Sequence, residues 1–283
     1  MAKYLDPKND LTFKRIFGEH KHLCKSLINS ILPLQNPIVE LEYATGELIP
    51  ELTEVLRNTI VDVRCTDSVG RQFIVEMQMY WTESFKSRVL LNASKAYIKQ
   101  LDKAHNFNLL QPVFALNFVN DTFEKSKKMA NEYYHHYKIV NIKNTEKQIK
   151  GLEFLFIELP KYKPKDLAEK KLYDLWLLFL TQVNESSDEI PSELLENEET
   201  CEAVNYAKRA AYNKNQLDAY DKWKIDVMTE RSALQDAIME GKTEEKIEIA
   251  INLLKSGISI DIVNSATGLS IKQIQKLIDK TKK

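Results

Sequence analysis

Asp62, Glu76 and Gln78 are polar residues set inside two apolar runs, VDVRC at 61–65 and QFIVEMQMY at 72–80. Charged side chains are poor strand formers and costly to bury beside Val, Ile and Phe, so acids in these places imply a task. Two carboxylates converging on one face beside an amide suit a hard divalent cation, which prefers oxygen ligands and retains waters. Mg²⁺ or Mn²⁺ held this way neutralises a phosphate, activates a water and stabilises a leaving oxygen, the needs of phosphodiester hydrolysis. The backbone carbonyl of Met77 is a further candidate ligand. Glu-x-Gln stands here where Glu-x-Lys would offer a cation, which leaves the general base open.

The three side chains meet only if the two runs pair in one register. Residues two apart share a strand face, so Glu76 and Gln78 point one way and Met77 the other. Asp62 joins them when paired residue numbers sum to 138, which leaves Ser68-Val69-Gly70 as the loop. Three-residue hairpin loops favour glycine at the last position, in the left-handed conformation, and Gly70 stands there. A two-residue loop would set Asp62 against Val75 and split the acids between faces. The bland alternatives are an Asp62–Arg64 pair and a merely solvated strand face.

Around this hairpin the pattern alternates between helix and strand. Asn9-Asp10 precedes a region with Phe13, Ile16, Phe17, Leu23, Leu27, Ile28 and Ile31 at amphipathic helical spacing, closed by Pro33 and Pro37. Residues 38–49 read as a strand or an irregular hairpin around Gly46. Strands are expected near 57–66, 71–80, 112–120, 133–141 and 152–159, with a helix over 84–104. Helix, three strands, helix, strand describes an α/β core whose mixed central sheet is flanked by helices. Helical character follows from about Lys165, with Asp188 to Glu202 expected as an exposed acidic connection. The expected divisions are a core at 1–165, a helical extension at 166–243 and a small helical segment at 244–283.

Composition narrows the class. Apolar content of 43% and charged content of 29% are ordinary for a globular chain. A net charge of -1 offers no global field to steer an anion, so nucleic-acid contact must come from local patches or a metal. Cys24, Cys65 and Cys201 read as reduced thiols, and the five histidines make no zinc pattern, His135-His136 included. No apolar run approaches a membrane span and the N-terminus is polar, so a soluble cytoplasmic protein is expected.

The last segment, 250–280, carries Gly257 and Gly268 as helix stops and Ser259 and Ser270 at N-cap places. Ile262, Ala266, Leu269, Ile274 and Leu277 are expected to fill the crevice between its last two helices. A helix-turn-helix-like reading would bring Lys272, Lys276, Lys280, Lys282 and Lys283 to phosphates and Gln273 to bases. Packing or dimerisation is the competing use of such a hairpin.

Taken in order, DLTFKRIFG at 10–18, VDV at 61–63, GRQFIVEMQ at 70–78, RVLLNASKAYIKQL at 88–101 and the following PVFALNF resemble the Rpn recombination-promoting nucleases, also described as PD-(D/E)XK nuclease-family transposases. The resemblance spans roughly 3–280. It implies a restriction-endonuclease-like core and a Mg²⁺-dependent DNA endonuclease, with Asp62 and Glu76 on the metal and Gln78 in the place of the family's lysine. It also implies an additional acidic site residue at Asp10, whose competing use is as the N-cap of the first helix, and places for Arg88, Tyr97 and Gln100 on phosphate or bracing the site. Lys86, Lys95 or Lys99 would then supply the missing charge. DNA is the implied partner, and cutting both strands favours a homodimer. The alternatives are a DNA-binding protein with a vestigial nuclease core and a purely structural partner in an assembly.

Overall fold

The computed structural model describes residues 3–44, 62–102, 106–164 and 171–281. Val61, the expected turn at Gly46, the first half of the strand expected at 57–66, and Lys282 and Lys283 lie outside the described residues, as does the side chain of Lys280. The chain divides into two compact units, Met1–Lys224 and Ile225–Lys283.

The first unit is built on six strands: β1 (Leu41–Tyr43), β2 (Val63–Asp67), β3 (Gln72–Gln78), β4 (Val113–Val119), β5 (Tyr134–Asn141) and β6 (Asn144–Glu158). They lie in the order β1-β2-β3-β4-β6-β5. β1, β2 and β3 are antiparallel neighbours, β3, β4 and β6 are parallel, and β5 returns antiparallel to β6. The sheet is therefore mixed, as the alternating pattern predicts. Every residue of β4 is buried, which marks a central strand covered on both faces.

Period-2 alternation sends two sets of side chains to two layers. Phe73, Val75, Phe114, Leu116, Phe118, Leu155 and Ile157 pack with α1 (Asp10–Phe13), the π-helical turn Lys14–Gly18, α2 (Lys21–Ile31) and α4 (Leu172–Gln182). Ile74, Val113, Ala115, Val119 and Phe156 face α3 (Glu83–Ile98) through Phe85, Val89, Ala93 and Ala96. Asn9, fully buried, caps α1 by accepting from the Leu11 N–H at 2.9 Å, so Asp10 is the first helical residue rather than the cap. Phe17 anchors the π-turn edge-on to Trp176, with ring centroids 5.4 Å apart.

Three expectations need correction. The acidic stretch 188–202 is not an exposed connection: it holds α5 (Ser192–Glu196) and the start of α6 (Glu198–Ala207), with Leu194 and Thr200 buried. β6 begins eight residues before the strand expected at 152 and carries the hairpin beyond the sheet. In the second unit, after the long helix α7 (Lys214–Lys255), α8 (Ile260–Thr267) turns Val263 and Thr267 inward, while Ile262 and Ala266 are exposed. Leu269 and Ile274, from α9 (Ile271–Thr281) and the turn before it, do enter that core, beside Ala250.

Candidate metal centre

The β2–β3 hairpin has the register that joins the acids. Val63 pairs with Val75, Arg64 with Ile74 and Thr66 with Gln72. Asp62 lies one step beyond that last pair, where the same register carried on would set it across from Glu76 on one sheet face. The loop is Ser68-Val69-Gly70, with Gly70 at φ +88° and its N–H donating to the Asp67 carbonyl at 3.0 Å. Asp67 ties the turn from inside: its carboxylate accepts the Arg71 N–H at 2.9 Å and Arg71 Nε at 2.6 Å.

Asp62 is held by groups that arrive from opposite directions. Its Oδ2 accepts the Met77 N–H at 2.7 Å. In a ladder a residue's N–H and C=O face the same neighbour, so the Met77 carbonyl opens toward the Asp62 edge as well. Lys14, from the π-turn, places Nζ 3.7 Å from Asp62 Oδ1 and 2.6 Å from Asp10 Oδ1. Burial pushes the Asp62 carboxyl up to about 7; the Met77 N–H and Lys14 oppose that shift, while Asp10 and Glu76 add to it. Asp10 thus belongs to the electrostatic neighbourhood of Asp62.

Glu76 is 5% exposed. Its Oε1 accepts Asn92 Nδ2 of α3 at 3.1 Å. Burial raises its carboxyl as well, and Arg88 and Asn92 pull against that. Gln78 Oε1 accepts Arg88 Nη2 at 2.6 Å, and its Nε2 donates to the Tyr80 carbonyl at 2.8 Å. Asn117 of β4 is level with Glu76 in the parallel register and fully buried. The Oδ1 atoms of both Asn92 and Asn117 are buried without a hydrogen-bond partner among the described residues.

Asp62, Glu76, Gln78, Asp10 and Arg88 are thus neighbours at one end of β3. Tyr97 and Gln100 are not. Gln100 clamps the backbone of Gln111, donating at 2.9 Å and accepting at 2.8 Å, and the Tyr97 ring lies against Gly151. Both brace the far end of α3, roughly 15 Å along the helix from Arg88 by its rise per residue. Nor do Asp62 and Arg64 pair: Arg64 Nε and Nη1 are buried without a partner among the described residues. Of the lysines expected to supply charge, Lys86 lies over the Trp81 ring at 5.1 Å, and the cations acting on the two carboxyls are Lys14 and Arg88.

Lys14 and Asn92 escape a reading of the hairpin alone. A signal for each was present: Lys14 lies one helical turn after Asp10, and Asn92 one turn after Arg88, an amide on a helix face that also buries Phe85, Val89, Ala93, Lys95 and Ala96. Gln273 has a local use, since its Oε1 accepts from the Ser270 N–H at 2.9 Å and Oγ at 2.8 Å, a capping box that opens α9.

Among the described residues no three His, Cys, Asp or Glu side chains gather closely enough to cage a metal by themselves. An open set of two carboxylates and a carbonyl remains, the kind of incomplete shell Mg²⁺ accepts because it keeps waters and takes phosphate oxygens. Among the described residues no helix is long and apolar enough to cross a membrane. No curated protein and no solved structure matches the chain. A family model described as PD-(D/E)XK nuclease family transposase matches residues 7–237, well over half of the 283. With its mixed sheet, flanking helices and helical C-terminal region, the chain belongs to the PD-(D/E)XK nuclease family transposases.

Proposed function

We propose that the chain is a divalent-metal-dependent DNA endonuclease acting at the Asp62–Glu76 pair. The observation that carries this reading is the hairpin register, which runs to the Val63–Val75 pair and brings the half-buried Asp62 and the buried Glu76 to adjoining positions at one end of the hairpin. Their uncompensated charge supports it: burial drives both carboxyls toward the neutral form, and a cation removes that cost. The donors are all oxygen, which suits Mg²⁺ or Mn²⁺ on Asp62, Glu76 and the Met77 carbonyl. When bound, such an ion supplies charge neutralisation at a phosphate and a more acidic water.

The protein groups divide the remaining work. The Met77 N–H fixes the Asp62 carboxylate, and Asn92 fixes that of Glu76. Arg88 holds Gln78 in place and brings positive charge to the side where a phosphate would approach. Lys14 contributes the cation that Gln78 lacks, entering from the π-turn rather than from β3. Two copies of the chain would be needed to cut both strands of a duplex with one site each. A second reading, a DNA-binding protein with a vestigial core, is favoured by one observation: both ends of the Gln78 amide are already engaged, by Arg88 and Tyr80.

Supercoiled plasmid incubated with the purified chain separates these readings. Nicking should require Mg²⁺ or Mn²⁺ and stop with a chelator. Asp62→Asn and Glu76→Gln should each reduce it by at least about a hundredfold, the scale of losing one group that stabilises transition-state charge. Lys14→Gln should slow it less, by roughly tenfold, with the thermal melt showing a folded protein. Retained nicking in the two carboxylate variants refutes the site, and plasmid binding with no nicking under any metal favours the vestigial core.

A further inference from the structure

β5 and β6 run past the sheet. β4 accompanies β6 only from Leu152 onward, so residues 139–151 form a two-stranded ribbon with no third strand beside it among the described residues. Residues 141–150 are all exposed. A lone two-stranded hairpin is marginal in water, and the cross-strand Ile139–Ile149 pair is its main internal apolar contact.

Its charge is one-sided. Lys138, Lys143, Lys147 and Lys150 face a single acid, Glu146, within a chain whose net charge is -1. Lys138 is spoken for, 3.4 Å from Glu153. Lys143, Lys147 and Lys150 are exposed along the ribbon, and Ile142, in the two-residue turn between Asn141 and Asn144, is 91% exposed. A basic ribbon with a bare aliphatic side chain at its tip matches the chemistry of a nucleic-acid duplex. Architectural proteins that bend DNA bind the minor groove and wedge apolar side chains between its base steps, the combination this ribbon and its tip offer.

We propose that this ribbon is a second DNA contact, with Lys143, Lys147 and Lys150 on phosphates and Ile142 as the wedge against the bases. It rests on the reading of the chain as a protein that acts on DNA. Glu76 is level with Phe156 of β6, and Asn144 lies twelve residues back along that strand, roughly 40 Å by the rise of an extended chain. That reach is about one turn of B-DNA, so the ribbon grips the duplex about a turn away from the scissile bond.

The test is duplex binding by the full chain without divalent metal, followed by fluorescence anisotropy over a salt series. The Lys143→Gln/Lys147→Gln/Lys150→Gln variant should bind about tenfold or more weakly, and the slope of log affinity against log salt should fall by roughly 2 to 3. Ile142→Ala should leave that slope unchanged and reduce bending of a duplex labelled at both ends for energy transfer. If the wild-type chain binds and the triple variant matches it in affinity and slope, the ribbon proposal fails while the nuclease reading stands. If the wild-type chain binds no duplex, the DNA reading itself fails and takes the ribbon with it. Unchanged bending overturns the wedge. A change of sedimentation state in these variants, with DNA affinity intact, overturns the proposal in favour of contact between copies of the chain.

Discussion

The Asp62 carboxyl, raised from 3.8 to about 7 chiefly by burial, makes the metal-free protein a pH-dependent structure. Between those two values the folded chain keeps a proton that the unfolded chain has released. Stability therefore falls as pH rises through that window and levels off above it. Asp62→Asn removes that residue's share of the dependence and leaves the share of Glu76, so urea midpoints of wild type and variant should diverge in the variant's favour from pH 4 to pH 8. A bound cation reverses the preference by favouring the ionised form. At about a hundred times its Kd, Mg²⁺ should raise the wild-type melting temperature at pH 8 by on the order of 5 °C, and by much less at pH 5.5, where the proton competes. A Mg²⁺ shift of equal size in Asp62→Asn at pH 8 would mean the ion binds elsewhere.

The hairpin is the element on which that pairing depends, and Gly70 is its most constrained residue. Its φ of +88° lies in the left-handed region, and a Cβ there would come 3.1 Å from Gln111 Cγ. Gly70→Ala should destabilise the protein by about 1–2 kcal/mol, read as a lower urea midpoint at unchanged slope, and should weaken Mg²⁺ binding by loosening the register. An unchanged midpoint would show that the turn tolerates the substitution and does not set the register. This element was legible in the chain because strand periodicity and one turn glycine decide it locally. α3 and β4 were legible for the same reason, since their burial follows their own spacing. What local pattern hides is contact across the sequence. Nothing near Asp62 indicates that Lys14, 48 positions earlier, lies beside it. α5 and α6 were obscured by their acids, which outnumber the buried Leu194, Ala203 and Val204 that fix them to the core. In α8 the inward face differs by one residue from the expected one, because tertiary packing against Ala250 selects Val263 over Ile262. The ribbon was missed because its polar alternation has no core to face.

At the scale of the whole molecule, a chain of net charge -1 has to concentrate its attraction for DNA in a few places. The unit Ile225–Lys283 has its own small core of Ala250, Val263, Leu269 and Ile274, and α9 carries an exposed face besides the side it gives to that core. Lys272 and Lys276 are exposed on that face, one turn apart, and Gln273 between them is committed to the cap at Ser270. A phosphate contact there adds affinity without reading sequence, since the amide best suited to a base edge is occupied. Lys272→Gln/Lys276→Gln in the full chain should therefore lower the salt slope of duplex binding by roughly 2 and weaken binding to unrelated sequences alike. The nicking rate at saturating DNA should hold, because neither lysine belongs to the carboxylate site. Unchanged affinity in that variant would assign α9 to packing or self-association instead. A loss confined to one DNA sequence would mean that α9 reads bases after all, with Gln273 released from its cap on binding.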